Sequence, residues 1–463
     1  MDDFNATVLS RLPLAEAVLK ILSHVASTSF LELVYERFRG RTYSKVLTLS
    51  TIFRLLTDAI VQHQGSGKQS FCRAVENKTS PVTDSAVYRK IGRLPLDLSE
   101  GFLSECTKRL EAICPAPMES VIPASLRSMT LIAIDGKKLK NVAKRIKPLR
   151  GLPGSVLGAK VLVGLRLDTG HAVAFHADKD GEKNDCPLVP GLLSQIRKLD
   201  LGRMLYLIDR QFCGSKQIDE FSEGNNYFLI RRTTTAKFDP DMNRPSKKGK
   251  DINGRNYIES WGDLGTGEAR RYVRQISLER PGEETILLIT NLLDSEVYPA
   301  SDLLAAYHMR WEIECVFQKI TEVFDLHRLI GGKPEAIIFQ CAFCLFLYNV
   351  MKTICRLIAE SQNVDEKEVS CEQVFTDLKR EVVSMDRVAD RDVVAKHFDE
   401  STDDVETVRE RVKELLRTCW NKRWMKYRSK KKRPDQNRAK QSGAHTSVFR
   451  AQQKYKESIH AEK

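Results

Sequence analysis

Two short apolar runs in this chain end in an acid. MTLIAID (129–135) and MLYLID (204–209) have the texture of buried strands, and they terminate in Asp135 and Asp209. Further on, YHMRWEIECVF (307–317) reads as an amphipathic helix. Tyr307, Arg310 and Glu314 fall at i, i+3 and i+7, a spacing that stacks all three along one face. Such a stripe is usually solvated, and either aspartate alone could equally cap a turn. Together they allow another chemistry. Two strand-end aspartates and a helical glutamate can surround a pair of divalent cations, and oxygen ligands suit Mg²⁺ or Mn²⁺. Two such ions stabilise the attacking and leaving oxygens of an in-line phosphoryl transfer.

The elements that would position these groups read as an α/β layer pattern. After MTLIAID come VLGAKVLVGLRLD (156–168) and HAVAFHAD (171–178), a hairpin through Thr169 and Gly170. A helix over 185–197, the strand MLYLID, a helix in CGSKQIDEF and the strand NYFLIRR follow. This first part spans 126–232. Residues 233–299 read as a β-rich insertion. Helical periodicity resumes at Ala300 and carries Glu314, and a second long helix lies near 334–360. Ahead of this core, 1–125 reads as a helical domain. Within it SFCRAVENKTSPVTDSAVYRKIGRLP gives two short helices about Pro81, the second bearing Arg89, Lys90 and Arg93, as in a helix-turn-helix. The remainder, 361–463, reads as charged helices and a basic tail.

The chain has 463 residues and a net charge of +13, and the last 43 residues hold 14 Lys/Arg against 3 Asp/Glu. A basic tail on a nearly balanced body points to a polyanion, most commonly nucleic acid. The acidic Met1-Asp2-Asp3 start does not suit a signal peptide. The most apolar stretch, AIIFQCAFCLFLYNVM (336–351), is short for a membrane span and is interrupted by Gln340 and Asn349, so a buried core helix is expected. Eleven cysteines without a repeating spacing suit a reducing cytosol, and Cys341 and Cys344 read as core packing.

The motifs IDGK (134–137), IDRQF (208–212) and YHMRWEIE (307–314), in this order, resemble the DDE transposases of the insertion-sequence 4 family. The resemblance covers about 125–350. It implies an RNase H-like mixed sheet with flanking helices and a β-rich insertion between the second Asp and the Glu. It also implies that Asp135, Asp209 and Glu314 hold two Mg²⁺ or Mn²⁺ ions, and that Tyr307 and Arg310 contact the backbone at the element end. Expected partners are double-stranded DNA, both element ends and target, and a second copy of the chain in the DNA complex. No membrane is expected, and the location would be cytoplasmic, on DNA. One departure is visible: Thr321 stands seven residues after Glu314, where the family signature commonly has a lysine, and Lys319 is nearby.

Further DNA contacts are expected from Lys319, Arg210, Lys137 and Lys138. The last two open a loop-like basic run that continues through Lys140, Lys144, Arg145, Lys147 and Arg150. GSGK (65–68) fails as a P-loop, because Gln62 and Gln69 occupy its first Gly and its Ser/Thr positions. His171 and His176 lack a ligand set and read as structural. Trp261 reads as a β-core residue, with stacking on an unpaired base as the alternative. The alternatives to a transposase are an RNase H-like metal-dependent nuclease and a non-catalytic DNA-binding protein derived from a transposase.

Overall fold

The computed structural model describes residues 3–43, 46–117, 120–144, 147–389, 393–394, 397–398, 403–427 and 445–461. Arg145 and most of the basic segment before residue 445 lie outside the described residues. Seven helices open the described chain: α1 (Asp3–Ser10), α2 (Pro13–Val25), α3 (Thr28–Phe38), α4 (Leu49–Val61), α5 (Gly67–Glu76), α6 (Asp84–Ile91) and α7 (Leu96–Ile113). Ser27, Thr48, Ser66 and Thr83 each accept a bond from a backbone N–H in the first turn, which fixes where four of these helices start. Helices α5 and α6 form the expected pair, with Phe71 and Tyr88 packed edge to face at 5.0 Å. Of the three basic residues expected to meet DNA, Lys90 is turned inward and donates to the Tyr35 hydroxyl at 2.7 Å, while Arg89 and Arg93 are exposed.

The strands are β1 (Thr130–Leu139), β2 (Ser155–Leu157), β3 (Ala159–Arg166), β4 (His171–Asp178), β5 (Met204–Ile208) and β6 (Tyr227–Arg231). After them come β7 (Phe238–Pro240), β8 (Lys247–Lys250), β9 (Asn256–Leu264), β10 (Arg271–Leu278) and β11 (Ile286–Thr290). One mixed sheet runs β4-β3-β1-β5-β6-β11-β10-β9-β7, with β8 paired to β9. The β4-β3-β1-β5-β6 part, antiparallel on one side of β1 and parallel on the other, is the RNase H-like sheet expected from the sequence. The strands of 238–290 prolong this sheet, because β11 pairs antiparallel with β6.

Helices α8 (Val189–Arg197) and α9 (Ser215–Ser222) cover one face of the sheet with Ile132, Ile134, Tyr206 and Ile208. The other face, with Leu131, Ala133, Leu205 and Leu207, packs into the core shared with the N-terminal helices and with α12 (Pro334–Gln362). Before α12 come α10 (Ala300–Met309) and α11 (Trp311–Glu322); after it come α13 (Cys371–Val388) and α14 (Val405–Thr418). Helix α12 is long and apolar enough to cross a membrane, yet 94% of its most apolar window is buried inside the fold. Its two polar interruptions are satisfied there. Gln340 accepts from Ile330 N at 2.7 Å and donates to Arg328 O at 3.0 Å. Asn349 bonds both backbone groups of Ala172 on β4, at 2.9 Å each.

Trp261 on β9 is a core residue: its indole donates to Leu293 O at 2.9 Å and the Arg244 guanidinium covers its ring at 4.0 Å. It is 1% exposed, so the alternative of stacking on an unpaired base is excluded in this fold. His171 and His176 are structural, held by Thr353 and Glu100. The end of the described chain is not a free tail. Strand β12 (His445–Ser447) pairs in parallel with β2, and Arg450 in α15 (Val448–Ala461) is paired with Asp180 and Glu182.

Candidate active site

The parallel pairing of β1 with β5 stops at Ile134 and Ile208. Asp135 and Asp209 are the next residue on each strand, so they lie side by side where the two strands part. Strand alternation puts both on the α12 face, the face of Leu131, Ala133, Leu205 and Leu207. The expectation that Asp135 ends its strand is corrected. β1 continues to Leu139, paired with β3 from Asp135–Val163 to Leu139–Ala159, so Asp135 is mid-strand and only the parallel partner ends there. The basic run after it likewise begins in a strand and not in a loop.

The two aspartates differ in what their side chains do locally. Asp135 accepts the Gly136 N–H at 2.8 Å. Asp209 precedes the 3₁₀ turn Arg210–Phe212 and makes no side-chain capping bond to it. Turn capping therefore accounts for neither the presence nor the depth of Asp209.

Glu314 approaches from α11. The single helix expected over this stretch is broken at Arg310, where the ladder switches to i→i−3 bonds: Arg310 N to Tyr307 O at 3.1 Å and Ile313 N to Arg310 O at 3.2 Å. Tyr307 on the first segment reaches the end of β5, its hydroxyl 3.4 Å from Ile208 O. Arg310 occupies the joint. Its guanidinium donates to Glu314 at 2.8 Å and stands 3.9 Å from Asp135. It lies 5.9 Å from the centre of the Tyr307 ring. Ile313 and Phe317 anchor α11 in the core, whereas Trp311 is 59% exposed. It lies on the solvent face of α11 with Cys315 and Gln318, four and seven residues on.

The electrostatics are those of crowded carboxylates. Burial pushes the Asp135 carboxyl up to about 6, and the charges of Glu314 and Asp209 add to the shift against the Gly136 bond and Arg310. Tyr307 is raised well above an ordinary phenol, chiefly by burial. Arg310 is raised despite burial, by Tyr307, Glu314 and the two aspartates. Three oxygen-donor side chains, one of them short of solvation, fit a hard divalent cation in their chemistry. Their positions are not closed: among the described residues no group of three His, Cys, Asp or Glu side chains converges enough to hold an ion. Arg310 is the cation in contact with Glu314.

The remaining residues expected at a DNA site are distributed unevenly. Arg210, next to Asp209, is exposed, as is Lys138, which strand alternation puts on the sheet face opposite Asp135. Lys137 shares the face of Asp135 and is drawn against α11, its ammonium 3.4 Å from Phe317 O. Thr321, at the position of the expected lysine, donates to the same carbonyl at 2.6 Å. Lys319 is not brought to the carboxylates. It lies on the far side of α11, 5.6 Å from the Tyr348 ring, in a cavity of about 540 Å³ shared with Glu312, Cys315, Lys352 and Lys426.

One support was not read from the sequence. Asp185, ahead of α8, is buried against Gly136 on the opposite face of the sheet and paired with buried Lys160 of β3. A Cβ on Gly136 would lie 2.3 Å from an Asp185 carboxylate oxygen. Gly136→Ala is thus expected to displace either the Lys160–Asp185 pair or the backbone beside Asp135. A loss of about 1–3 kcal/mol in chemical denaturation is the expected result, and an unchanged midpoint would contradict this packing.

Residues 127–350 match the family described as transposase DDE domain. The chain is 27% identical over 153 residues to a proposed transposase for insertion sequence element IS4SA from Synechocystis, covering 32% of this chain and 40% of that protein. It is 21% identical over 186 residues to a proposed transposase, y4zB, of Sinorhizobium fredii, covering 38% and 51%. The matches thus span about half or less of these relatives. Among solved structures, that of a piggyBac transposase synaptic complex with hairpin DNA covers 86% of this chain and 85% of that one, at a TM-score of 0.43 and 10% identity. Asp135, Asp209 and Glu314 all fall inside residues 127–350, the segment that is similar to the transposase DDE domain family.

Proposed function

We propose that this chain is a DNA transposase that cuts at the ends of its own element and joins them to target DNA. The observation that carries this reading is the adjacency of Asp135 and Asp209 beyond the last parallel β1–β5 pair, with Arg310 standing between Glu314 and Asp135. Asp135, Asp209 and Glu314 would hold Mg²⁺ or Mn²⁺, a pair of which, when bound, supplies charge to the attacking and leaving oxygens. In the first step water attacks a phosphodiester at the element end and a 3′-hydroxyl leaves. In the second, that hydroxyl attacks a target phosphodiester and expels a target 3′-oxygen. One phosphodiester is formed for each one broken in this second step, so no nucleotide triphosphate is consumed. Arg310, Tyr307, Lys137, Lys138 and Arg210 would hold the DNA backbone, Lys319 through a separate surface. Two ends joined together call for two copies of the chain.

The reading is tested on the DNA bordering the coding sequence. Inverted repeats flanked by a short target duplication are expected there, and a duplex of such an end should be cut in Mg²⁺ to leave a 3′-hydroxyl. No cutting at that end by the folded protein would count against it. Arg310→Ala should weaken binding to the end duplex and reduce the slope of log K against log salt by about one. An unaltered slope in a fluorescence-anisotropy titration would remove Arg310 from the phosphate contacts.

A further inference from the structure

The three carboxylates have the chemistry of a cation site, but they are not drawn together, and the charge in contact with Glu314 belongs to the protein. Arg310 Nη2 donates to Glu314 Oε1 at 2.8 Å, while Nη1 points toward Asp135 Oδ2 at 3.9 Å. The arginine side chain is 13% exposed and that of Glu314 33%, so the pair lies at the mouth of the site with the glutamate outermost. Arg310 is also the joint between α10 and α11, where the hydrogen-bond ladder is already broken, so a small change there re-aims α11 without unfolding it. A guanidinium that bonds one carboxylate oxygen has donors left over. A DNA phosphodiester carries the same single negative charge as Glu314, but its two free oxygens can take both arms of the guanidinium fork, where Glu314 takes one.

We propose that Arg310 is a latch on the carboxylate site. In the DNA-free protein it holds Glu314 away from the aspartates, and a DNA phosphate that takes over the guanidinium releases Glu314 to complete the cation site. This rests on the reading of Asp135, Asp209 and Glu314 as cation ligands. By linkage, DNA then tightens cation binding by the same factor that the cation tightens DNA binding. The consequence is a site that assembles only on its substrate.

The test is a double-mutant cycle between positions 310 and 314, read as Mn²⁺ affinity of the DNA-free protein by the electron paramagnetic resonance signal of free Mn²⁺. Thermal melts establish that each variant is folded. A latched Glu314 contributes nothing to Mn²⁺ binding, so Glu314→Gln should leave the affinity of the otherwise unaltered chain within about twofold. Arg310→Gln should raise the affinity about tenfold or more, and adding Glu314→Gln to Arg310→Gln should remove that gain. If Arg310 merely neutralises a site already formed, Glu314→Gln lowers affinity by the same factor in both backgrounds, and the latch is overturned. In a second arm, saturating duplex DNA should bring the unaltered chain to the affinity of Arg310→Gln, and no gain on DNA overturns release by phosphate. Should no form bind Mn²⁺ at a site that Asp135→Asn abolishes, the cation reading itself falls and takes the latch with it.

Discussion

Asp209→Ala is expected to abolish Mg²⁺-dependent cleavage of an element-end duplex while DNA binding and the fold survive. Asp135→Ala and Glu314→Ala should do the same. The size of the loss follows from what the carboxylates are for. Cations held by them contribute several kilocalories per mole of charge stabilisation in the transition state, and each 1.4 kcal/mol is a factor of ten, so a loss of about 10³-fold or more is expected. Asp209 is the cleanest of the three. It caps no turn, so its removal leaves the 3₁₀ segment Arg210–Phe212 with the backbone bonds it already has. Binding should persist because the phosphate contacts belong to other residues. Cleavage at more than a tenth of the original rate by any of the three variants, measured on gels with end-labelled duplex, would contradict the assignment.

The second large effect is on stability, and it has the opposite sign from most core substitutions. Asp135 carries a folded-state pKa of about 6 against an ordinary 3.8, because burial and two neighbouring carboxylates oppose its ionisation. The folded protein therefore holds this proton more tightly than the unfolded chain. Stability falls as pH rises between these values, and above about pH 6 the whole cost is present. Two pKa units correspond to about 3 kcal/mol as an upper bound. Asp135→Asn keeps an oxygen to accept the Gly136 N–H and removes the charge, so it should stabilise the metal-free protein by about 1–3 kcal/mol at pH 7.5. The gain should vanish below about pH 3, where Asp135 is protonated in both states. Paired thermal melts at the two pH values measure this. A variant less stable than the original at pH 7.5, or equally stabilised at both, would show that Asp135 is not a strained carboxylate.

How much of this was legible in the sequence differs from residue to residue. The apolar runs before Asp135 and Asp209 announced two buried strands, and the order of strands and helices between them was readable because each is a local pattern. The true length of β1 was not. Gly136, Lys137 and Lys138 have no strand texture, and they are extended only because β3 pairs with them from 20 or more residues away. The break at Arg310 was equally silent, since neither proline nor glycine marks it. The Arg310–Glu314 pair did have a signal, an i,i+4 spacing of opposite charges, but the resemblance invited a reading of Arg310 toward DNA and of Glu314 toward the metal. Gln340 and Asn349 read as flaws in an apolar helix; their partners, Ile330, Arg328 and Ala172, are visible only after folding. The pair Lys160–Asp185 beneath Gly136 joins residues whose sequence context suggests nothing in common.

The central claim is that Asp135, Asp209 and Glu314 serve one site that both cuts and joins DNA. Its most direct test is strand joining by the full chain, with a pre-cleaved element end bearing a 3′-hydroxyl and a supercoiled plasmid as target. The account predicts joined product in Mg²⁺, none in chelator, and none from Glu314→Gln in Mg²⁺. Plasmid nicking without joining, or joining that survives Glu314→Gln, would contradict it.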